Sequence, residues 1–130
     1  MAVLNFEVDS KKRTLAEVSN EFLQSIGVYA NTLAGSADNP DLIIGSKAFT
    51  ENFLLAHIFA QLIENKTKLT TKLQLGFGGT KLVFDALRFG EVDIYPDYTG
   101  TAYLVLLNKK PSDIENFNNP QRVLDVVSKE

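Results

Sequence analysis

Two kinds of apolar pattern alternate along the chain after residue 40. Three short runs are wholly apolar or alternate apolar with polar side chains, as strands do: residues 42–44, 69–75 and 91–95. Between them, residues 49–65 and 81–89 repeat apolar positions at steps of three and four, which predicts amphipathic helices. Strands that alternate with helices in this way are typical of an open α/β sheet, mainly parallel and flanked by helices.

The pattern also predicts the faces and ends of these elements. The first helix is expected to bury Phe53, Leu54, Ile58, Leu62 and Ile63. The second is expected to bury Leu82, Val83, Ala86 and Leu87. Thr50 is available to cap the first helix, and Gly90 should end the second as a C-cap residue. Pro96 cannot donate to a ladder, so it stops the third strand.

The first forty residues follow a different pattern. Residues 1–9 alternate only loosely and are assigned no element. Thr14 and Glu17 stand at capping-box spacing ahead of apolar residues at steps of three and four, so residues 14–33 are predicted to form an amphipathic helix. Residues 34–40 are small and polar and end in proline, a composition typical of linkers.

Beyond the third strand the chain is predicted to form two more helices joined by a polar loop. The first covers residues 99–108 and the loop residues 112–119. Pro120 in a first turn starts the second, over residues 121–130. This last helix has apolar side chains on one side and no obvious neighbour within the chain: Val123, Leu124 and Val127.

Composition narrows the class of protein. With 130 residues, 45% of them apolar and 22% charged, the chain has the make-up of an ordinary globular domain. A net charge of -3 argues against nucleic acid as a partner, because phosphate neutralisation needs a surplus of clustered Lys and Arg. The lack of cysteine excludes disulfides and thiolate metal sites. No apolar run approaches the roughly 20 residues of a spanning helix, and no signal segment opens the sequence.

Three strand-to-helix junctions should meet at the carboxyl edge of the sheet, where open α/β sheets bind ligands. Residues 45–47 offer a cation and a hydroxyl, residues 76–80 offer backbone N–H groups at a helix start, and residues 95–101 offer phenol rings and hydroxyls. A carboxylate favours cations, hydroxyls and the N–H groups at a helix start, and a quaternary ammonium favours ring faces. Together the junctions suit a small zwitterion.

Other chemistry has weaker support. The glycine-rich turn over residues 76–80 lacks a GK[ST] ending and the full G-x-G-x-x-G spacing, so a phosphate cradle is a minor alternative. Ser46 has no histidine partner or nucleophile elbow, and His57 has no second ligand at metal spacing. We therefore expect no enzyme, no metal and no cofactor. A small nucleotide-binding or enzymatic α/β domain that uses the turn stays open as the alternative, and so does an interaction module without a small ligand.

Three segments carry a resemblance to a known family. They are residues 44–51 (IGSKAFTE), residues 78–80 (GGT) and residues 84–101 (FDALRFGEVDIYPDYTGT). In order and spacing they resemble the osmoprotectant-type substrate-binding proteins of ABC importers, and the match covers about residues 42–130. That family binds glycine betaine, choline, carnitine and related trimethylammonium compounds, and some members take ergothioneine.

The resemblance implies a lobe of the periplasmic-binding-protein type II fold, from a two-lobed protein that closes on its ligand. Such domains are about twice as long as the matched portion, so the chain is expected to stop before the second lobe. Residues 1–40 would be a leader with an amphipathic helix and a linker, residues 41–111 the first lobe, and residues 112–130 the crossover loop and first helix of the missing lobe.

The resemblance also implies site residues. By motif match, Lys47 and Thr101 hold the ligand carboxylate and Tyr98 forms one wall of an aromatic cage. Ser46 and Thr80 are further candidates. Two departures could alter ligand choice: Asn52 stands where glutamine is frequent, and Phe77 adds bulk before Gly-Gly-Thr.

The implied partners are a trimethylammonium ligand, an ABC permease that is either separate or fused to this chain, and the permease's ATPase. A nucleic acid is not expected. The apolar side of the last helix could support a homo-oligomer. The implied location is the periplasmic or extracellular face of a bacterial cytoplasmic membrane, with the domain free, tethered or fused.

Overall fold

A computed structural model describes residues 1–129 of the chain. In chain order its elements are α1 (Ala2–Asp9), α2 (Leu15–Ser25), β1 (Leu42–Gly45), α3 (Thr50–Lys66), β2 (Thr71–Gln74), α4 (Thr80–Arg88), α5 (Thr99–Thr101) and α6 (Pro120–Val127). A π-helical turn over Ala102–Leu106 follows α5, and a 3₁₀ turn covers Pro111–Asp113. The chain divides into two compact units, the first ending at Pro96 and the second beginning at Asp97.

β1 is the centre of a small parallel sheet. It pairs in parallel with β2, in a register that sets Leu42 opposite Thr71. On the other edge of β1, Ile94 makes a single parallel bridge to Ile44. The prediction of an α/β fold with parallel strands flanked by helices is confirmed.

The third predicted strand does not form beyond that bridge. The backbone N–H of Ile43 donates to Oδ2 of Asp93 at 2.7 Å, while the carbonyl of Ile43 accepts from the backbone nitrogen of Asp93 at 2.8 Å. A carboxylate thus takes the place that a backbone carbonyl would hold in a regular ladder. The prediction of a strand over residues 91–95 is therefore wrong.

α3 lies between the sheet and the two N-terminal helices. Its bounds agree with the predicted helix to within one residue. Leu54 and Ile58 are buried as predicted, but the other three predicted core residues are only half-buried. Because α3 has neighbours on two sides, it also buries small and polar residues: Asn52, Ala56, Ala60 and Gln61. Thr50 does not cap α3, since its hydroxyl donates to Asp9 at 2.8 Å.

The N-terminal residues, left without an assigned element, form α1. α2 begins at the predicted capping box of Thr14 and Glu17, which is confirmed. It ends eight residues before the predicted end at residue 33. Gly27 adopts φ +81°, and the N–H of Val28 returns to the carbonyl of Leu23 at 2.8 Å. This is the bonding of a glycine-ended helix, so Gly27 stops α2 and the predicted end at residue 33 is wrong.

A buried amide pair fastens α2 to α3. Nε2 of Gln61 donates to the carbonyl of Ala16 at 3.1 Å, and Nδ2 of Asn20 lies 3.3 Å from Oε1 of Gln61. The same Nδ2 donates to the carbonyl of Ala30 at 2.6 Å. Gln61 and Asn20 are both buried, so these bonds replace the water that their amides lose.

The segment predicted as a linker lies along the outer edge of β2. The carbonyl of Gly35 accepts from the backbone nitrogen of Leu73 at 2.8 Å, and Ser36 bridges Lys72 in antiparallel fashion. One carboxylate oxygen of Glu64 accepts from the N–H of Gly35 at 3.1 Å and from the hydroxyl of Thr71 at 2.7 Å. These residues are thus part of the sheet edge, although their composition is that of a linker.

β2 is shorter than predicted, and α4 buries a different set of residues from the predicted one. The predicted strand over residues 69–75 forms only over Thr71–Gln74, with both flanking leucines exposed. α4 buries Val83 and Ala86, but Leu82 is 62% exposed, so its predicted burial is wrong. Gly90 ends α4 at φ +74°, as predicted.

The second unit has its own small apolar contact. Tyr103 in the π-helical turn is buried, and its ring centroid lies 5.6 Å from that of Phe117. α6 starts with Pro120, and Oδ1 of Asn119 accepts from the N–H of Gln121 at 3.0 Å. α6 packs against α5 and the π-helical turn and buries Val123. The expectation that the last helix has no neighbour within the chain is therefore wrong.

Among the helices of residues 1–129, none combines the length and the apolarity that a membrane span needs. In the same residues, no cluster of histidine and carboxylate side chains is arranged to hold a metal ion.

Candidate functional site

Two loops meet at the carboxyl ends of the parallel strands in the first unit. We call residues 46–49, after β1, the first loop and residues 75–79, after β2, the second loop. The Ser46 carbonyl accepts from the backbone nitrogen of Phe77 at 2.9 Å, and the Ala48 N–H donates to the carbonyl of Gly78 at 3.1 Å. The first two predicted junctions therefore lie side by side.

Ser46 is the residue that joins the two loops. It is fully buried, and its hydroxyl oxygen accepts from the backbone nitrogen of Gly76 at 3.2 Å. Its carbonyl lies within hydrogen-bonding distance of the same N–H group. The predicted ligand residue is thus also part of the backbone support of the site.

Lys47 places a cation at this edge of the sheet. The residue is 5% exposed, and its Nζ lies 5.5 Å from the centroid of the Phe49 ring, a distance at which the ring face attracts the ammonium. A charge that is shielded from water interacts more strongly with an opposite charge than it does in bulk water, so this burial favours an interaction with an anion. Its backbone is fixed as well, since the N–H of Lys47 donates to Oδ1 of Asn52 at 2.6 Å.

Asn52 is a residue of the site that the sequence did not reveal as such. Its side chain projects from the first turn of α3 and is fully buried. While Oδ1 accepts from Lys47, Nδ2 donates to the carbonyl of Pro96 at 2.9 Å. In the sequence, Asn52 appears only as a departure from the family pattern that could alter ligand choice. A polar amide in the first turn of the predicted helix, three residues after the first loop, was the one available signal.

Thr80 begins α4, directly after the second loop, and is half-buried. The backbone before it needs glycine, because Gly76 and Gly78 have φ +85° and +82°. The N–H groups of Gly76 and Phe77 already bond to Ser46. A phosphate cradle requires such amides to point at the ligand, and two amides of this turn are already bonded within the chain, which weakens the nucleotide-binding alternative.

Tyr98 and Thr101 belong to the second unit. Tyr98 stands at the N-cap position of α5, where its backbone nitrogen donates to Oδ1 of Asp97 at 2.7 Å and its carbonyl accepts from Ala102 at 2.9 Å. The residue is 41% exposed. Thr101 ends α5 and is half-buried. The first unit thus holds three predicted site residues, Ser46, Lys47 and Thr80, and the second unit holds the other two.

His57 lies in the middle of α3, outside the two loops. Burial lowers the pKa of its imidazole below the ordinary value, because the charged form loses its hydration. Nδ1 is buried and has no hydrogen-bond partner among the residues that the structure describes. No role in the site was predicted for this residue, and it lies apart from the residues that form the site.

The class of protein follows from a family comparison. Residues 40–120 match the OpuAC family, the substrate binding domain of ABC-type glycine betaine transport systems. The match covers more than half of the chain, so the chain belongs to this family. The predicted resemblance to osmoprotectant-type substrate-binding proteins is confirmed, and the family is one of transport domains.

Individual relatives match over 58 to 96 residues of this chain. The carnitine transport binding protein OpuCC of Listeria monocytogenes is 30% identical over 96 residues, which cover 73% of this chain and 30% of OpuCC. The glycine betaine-binding protein YehZ of Escherichia coli is 47% identical over 58 residues, 44% of this chain and 18% of YehZ. The ergothioneine transport permease/ergothioneine binding protein EgtU of Helicobacter pylori is 36% identical over 64 residues, 48% of this chain and 11% of EgtU. The chain spans less than a third of the length of each.

Proposed function

We propose that this chain is part of the solute-binding component of an ABC importer, and that it captures a quaternary-ammonium zwitterion and delivers it to the permease. The ligand would be of the glycine betaine, carnitine or ergothioneine type, or choline, a related cation with the same trimethylammonium group. Membership of the family supports the transport role. The observation that carries the proposal is the buried ammonium of Lys47, placed at the carboxyl edge of the sheet beside an aromatic ring.

The roles of the site residues follow from their chemistry. Lys47 supplies a cation and Thr101 a hydroxyl for the carboxylate of the ligand. Tyr98 offers a ring face to the trimethylammonium group, which has no N–H to donate. Ser46 and Thr80 are further contacts to the polar end of the ligand. These assignments come from the motif match, and the structure supports them by the burial of Lys47 and the exposure of Tyr98.

The proposal extends to fold, partners and location. The chain would be the first lobe of a type II binding protein, with residues 1–40 as a leader, residues 41–111 as the lobe and residues 112–130 leading towards a second lobe. Its partners would be a permease and the permease's ATPase, and the chain itself would lie at the periplasmic or extracellular face of a bacterial cytoplasmic membrane. The name of EgtU joins a permease and a binding protein, which supports a fused arrangement for this chain as one form of the proposal.

An NMR titration of the 130-residue chain tests the function. Glycine betaine should shift the amide signals of the first and second loops with a dissociation constant in the millimolar range, since about 4 kcal/mol of binding free energy corresponds to 1 mM. Nucleotides at equal concentration should not shift them. If no trimethylammonium compound perturbs either loop, the proposed function is wrong for this chain.

A comparison of two ligands tests the role of Lys47. Choline carries the same trimethylammonium group as glycine betaine but an alcohol in place of the carboxylate. The variant Lys47→Met keeps most of the apolar length of the side chain and loses the charge. It should weaken glycine betaine binding and leave choline binding nearly unchanged. Equal weakening for both ligands would contradict a role of the ammonium in holding the carboxylate.

A further inference from the structure

The Asn52 side chain connects two separate backbone segments of the first unit. Its oxygen holds the N–H of Lys47 at 2.6 Å and its nitrogen holds the carbonyl of Pro96 at 2.9 Å. Both partners are themselves buried residues, as is Asn52. One amide therefore satisfies a donor from the first loop and an acceptor at the end of the first unit.

Removal of the Asn52 amide would take a partner from each of these two backbone groups. When a buried backbone group loses its partner, it keeps the full cost of its lost hydration. Either the Lys47 N–H and the Pro96 carbonyl then stay unpaired, or the backbone moves to find water. Because protein interiors are close-packed, the movement would fall on the loop rather than on α3 or β1.

We propose that Asn52 is the positioning residue of the ligand site, acting through the backbone of Lys47 and Pro96. The inference rests on the proposed function, since it concerns the affinity of the same site. The bond to Lys47 sets where the first loop leaves β1 and so where the ammonium is placed. The bond to Pro96 anchors the chain two residues before Tyr98 in the sequence. Asn52 itself touches no ligand.

The residue type fits this role. The site needs an acceptor and a donor on one short side chain, and an amide provides both. Aspartate offers only acceptors, and an alkyl side chain offers neither group. The side chain also projects from the first turn of a long helix, a rigid base for fixing two loops.

Asn20 provides a matched control in the same unit. It is also a buried asparagine whose Nδ2 donates to a backbone carbonyl, that of Ala30 at 2.6 Å. Its Oδ1 accepts from Gln24 at 2.5 Å. Its partner Gln61 stands nine residues after Asn52 on α3, which is about 14 Å along the helix axis. Loss of Asn20 should therefore destabilise the fold without disturbing the two loops.

The experiment measures glycine betaine affinity and thermal unfolding for Asn52→Ala and Asn20→Ala side by side. Both variants should unfold at lower temperature than the wild type. Only Asn52→Ala should weaken binding, by about tenfold or more, the factor expected when a buried partner is removed. If Asn52→Ala does not fold, Asn52→Leu and Asn20→Leu, which fill the space, replace the alanine pair with the same expectation.

Equal affinity in the wild type and the Asn52 variant, or equal weakening in both variants, would overturn the proposal. A wild-type chain that binds no trimethylammonium compound would overturn the proposed function, a result distinct from either. Amide hydrogen exchange gives a readout without ligand: the Lys47 N–H should exchange faster in Asn52→Ala and at its wild-type rate in Asn20→Ala. Unchanged exchange at Lys47 in the Asn52 variant would remove the positioning role.

Discussion

The hydroxyl oxygen of Ser46 lies 3.2 Å from the backbone nitrogen of Gly76 and accepts its hydrogen bond. The carbonyl of Ser46 accepts from Phe77 at 2.9 Å, so one residue of the first loop holds two consecutive amides of the second. Ser46 itself is fully buried, so its polar atoms depend on these partners. The arrangement shows that the two loops are held as a unit before any ligand arrives.

Replacing Ser46 with alanine should destabilise the chain modestly. The Gly76 N–H keeps the Ser46 carbonyl as a second acceptor, so the expected loss in the free energy of unfolding is about 1 kcal/mol. Urea unfolding measures it. Ser19→Ala is the control, because Ser19 is also fully buried and its hydroxyl donates to the Leu54 carbonyl at 3.4 Å. Only Ser46→Ala should also alter glycine betaine affinity, and a Ser19 variant with the same binding defect would argue against a local effect.

The ring of Tyr98, more than its hydroxyl, should determine trimethylammonium affinity. Tyr98→Phe keeps the ring face and should bind glycine betaine nearly as well as the wild type. Tyr98→Ala should bind about fivefold more weakly, the equivalent of a cation–π contact of about 1 kcal/mol. Titration calorimetry or NMR measures the difference.

The control for this pair is Tyr29→Ala. Tyr29 is 78% exposed in the segment after α2, in the first unit. Its removal should leave affinity unchanged. If Tyr98→Phe lost as much affinity as Tyr98→Ala, the phenol hydroxyl and not the ring would be the binding group.

Local signals in the sequence predicted much of the fold. The capping box at Thr14, the periodicity of α3 and the glycine after α4 each act over a few residues, and each appears where predicted. The error in the third strand arose from a contact distant in sequence. The carboxylate of Asp93 replaces a ladder bond of Ile43, fifty residues away. No pattern within residues 91–95 indicates that a carboxylate takes the place of a backbone carbonyl.

The difference between local signals and contacts distant in sequence also explains which parts of the site were predicted. The first and second loops were predicted from strand ends, because parallel strands must end at the same edge of a sheet. The role of Asn52 was not predicted, since it depends on Pro96, forty-four residues further along the chain. The composition of residues 34–40 predicted a linker for a similar reason. The contact that places Gly35 at the sheet edge is its bond to Leu73, which lies far along the chain.

Gly35 should tolerate a side chain poorly. Its φ is +87°, and a Cβ at this position would lie 2.5 Å from Cγ of Leu73. Gly27 has a similar φ of +81° with nothing within 4 Å of the same atom. Gly27→Ala should therefore cost only the backbone strain, about 1 kcal/mol, while Gly35→Ala should cost a further 1–3 kcal/mol for overpacking. Chemical unfolding of the two variants measures the difference, and equal losses would show that Leu73 moves aside without cost.

The stability of the chain should depend on pH through His57, its single histidine. Burial lowers the pKa of His57 in the folded state below its unfolded value of about 6.5. Above pH ~7 the imidazole is neutral in both states and contributes no slope. As the pH falls through ~6.5, the unfolded chain takes up the proton first, so the free energy of unfolding decreases until the folded pKa is reached.

His57→Gln removes the titratable imidazole, so a comparison with the wild type isolates the contribution of His57 to the pH dependence of stability. Urea unfolding at intervals between pH ~7 and ~5 should show the decrease for the wild type and a nearly flat profile for the variant. The carboxylates whose pKa is lowered in the fold, such as Asp41 bonded to Thr70, lose their stabilising contribution only at lower pH, as pH falls through their folded values. Between pH ~7 and ~5, the change in stability should therefore come mainly from the imidazole. A wild-type profile that is flat between pH ~7 and ~5, or one that His57→Gln leaves unchanged, would show that His57 is not the group that titrates.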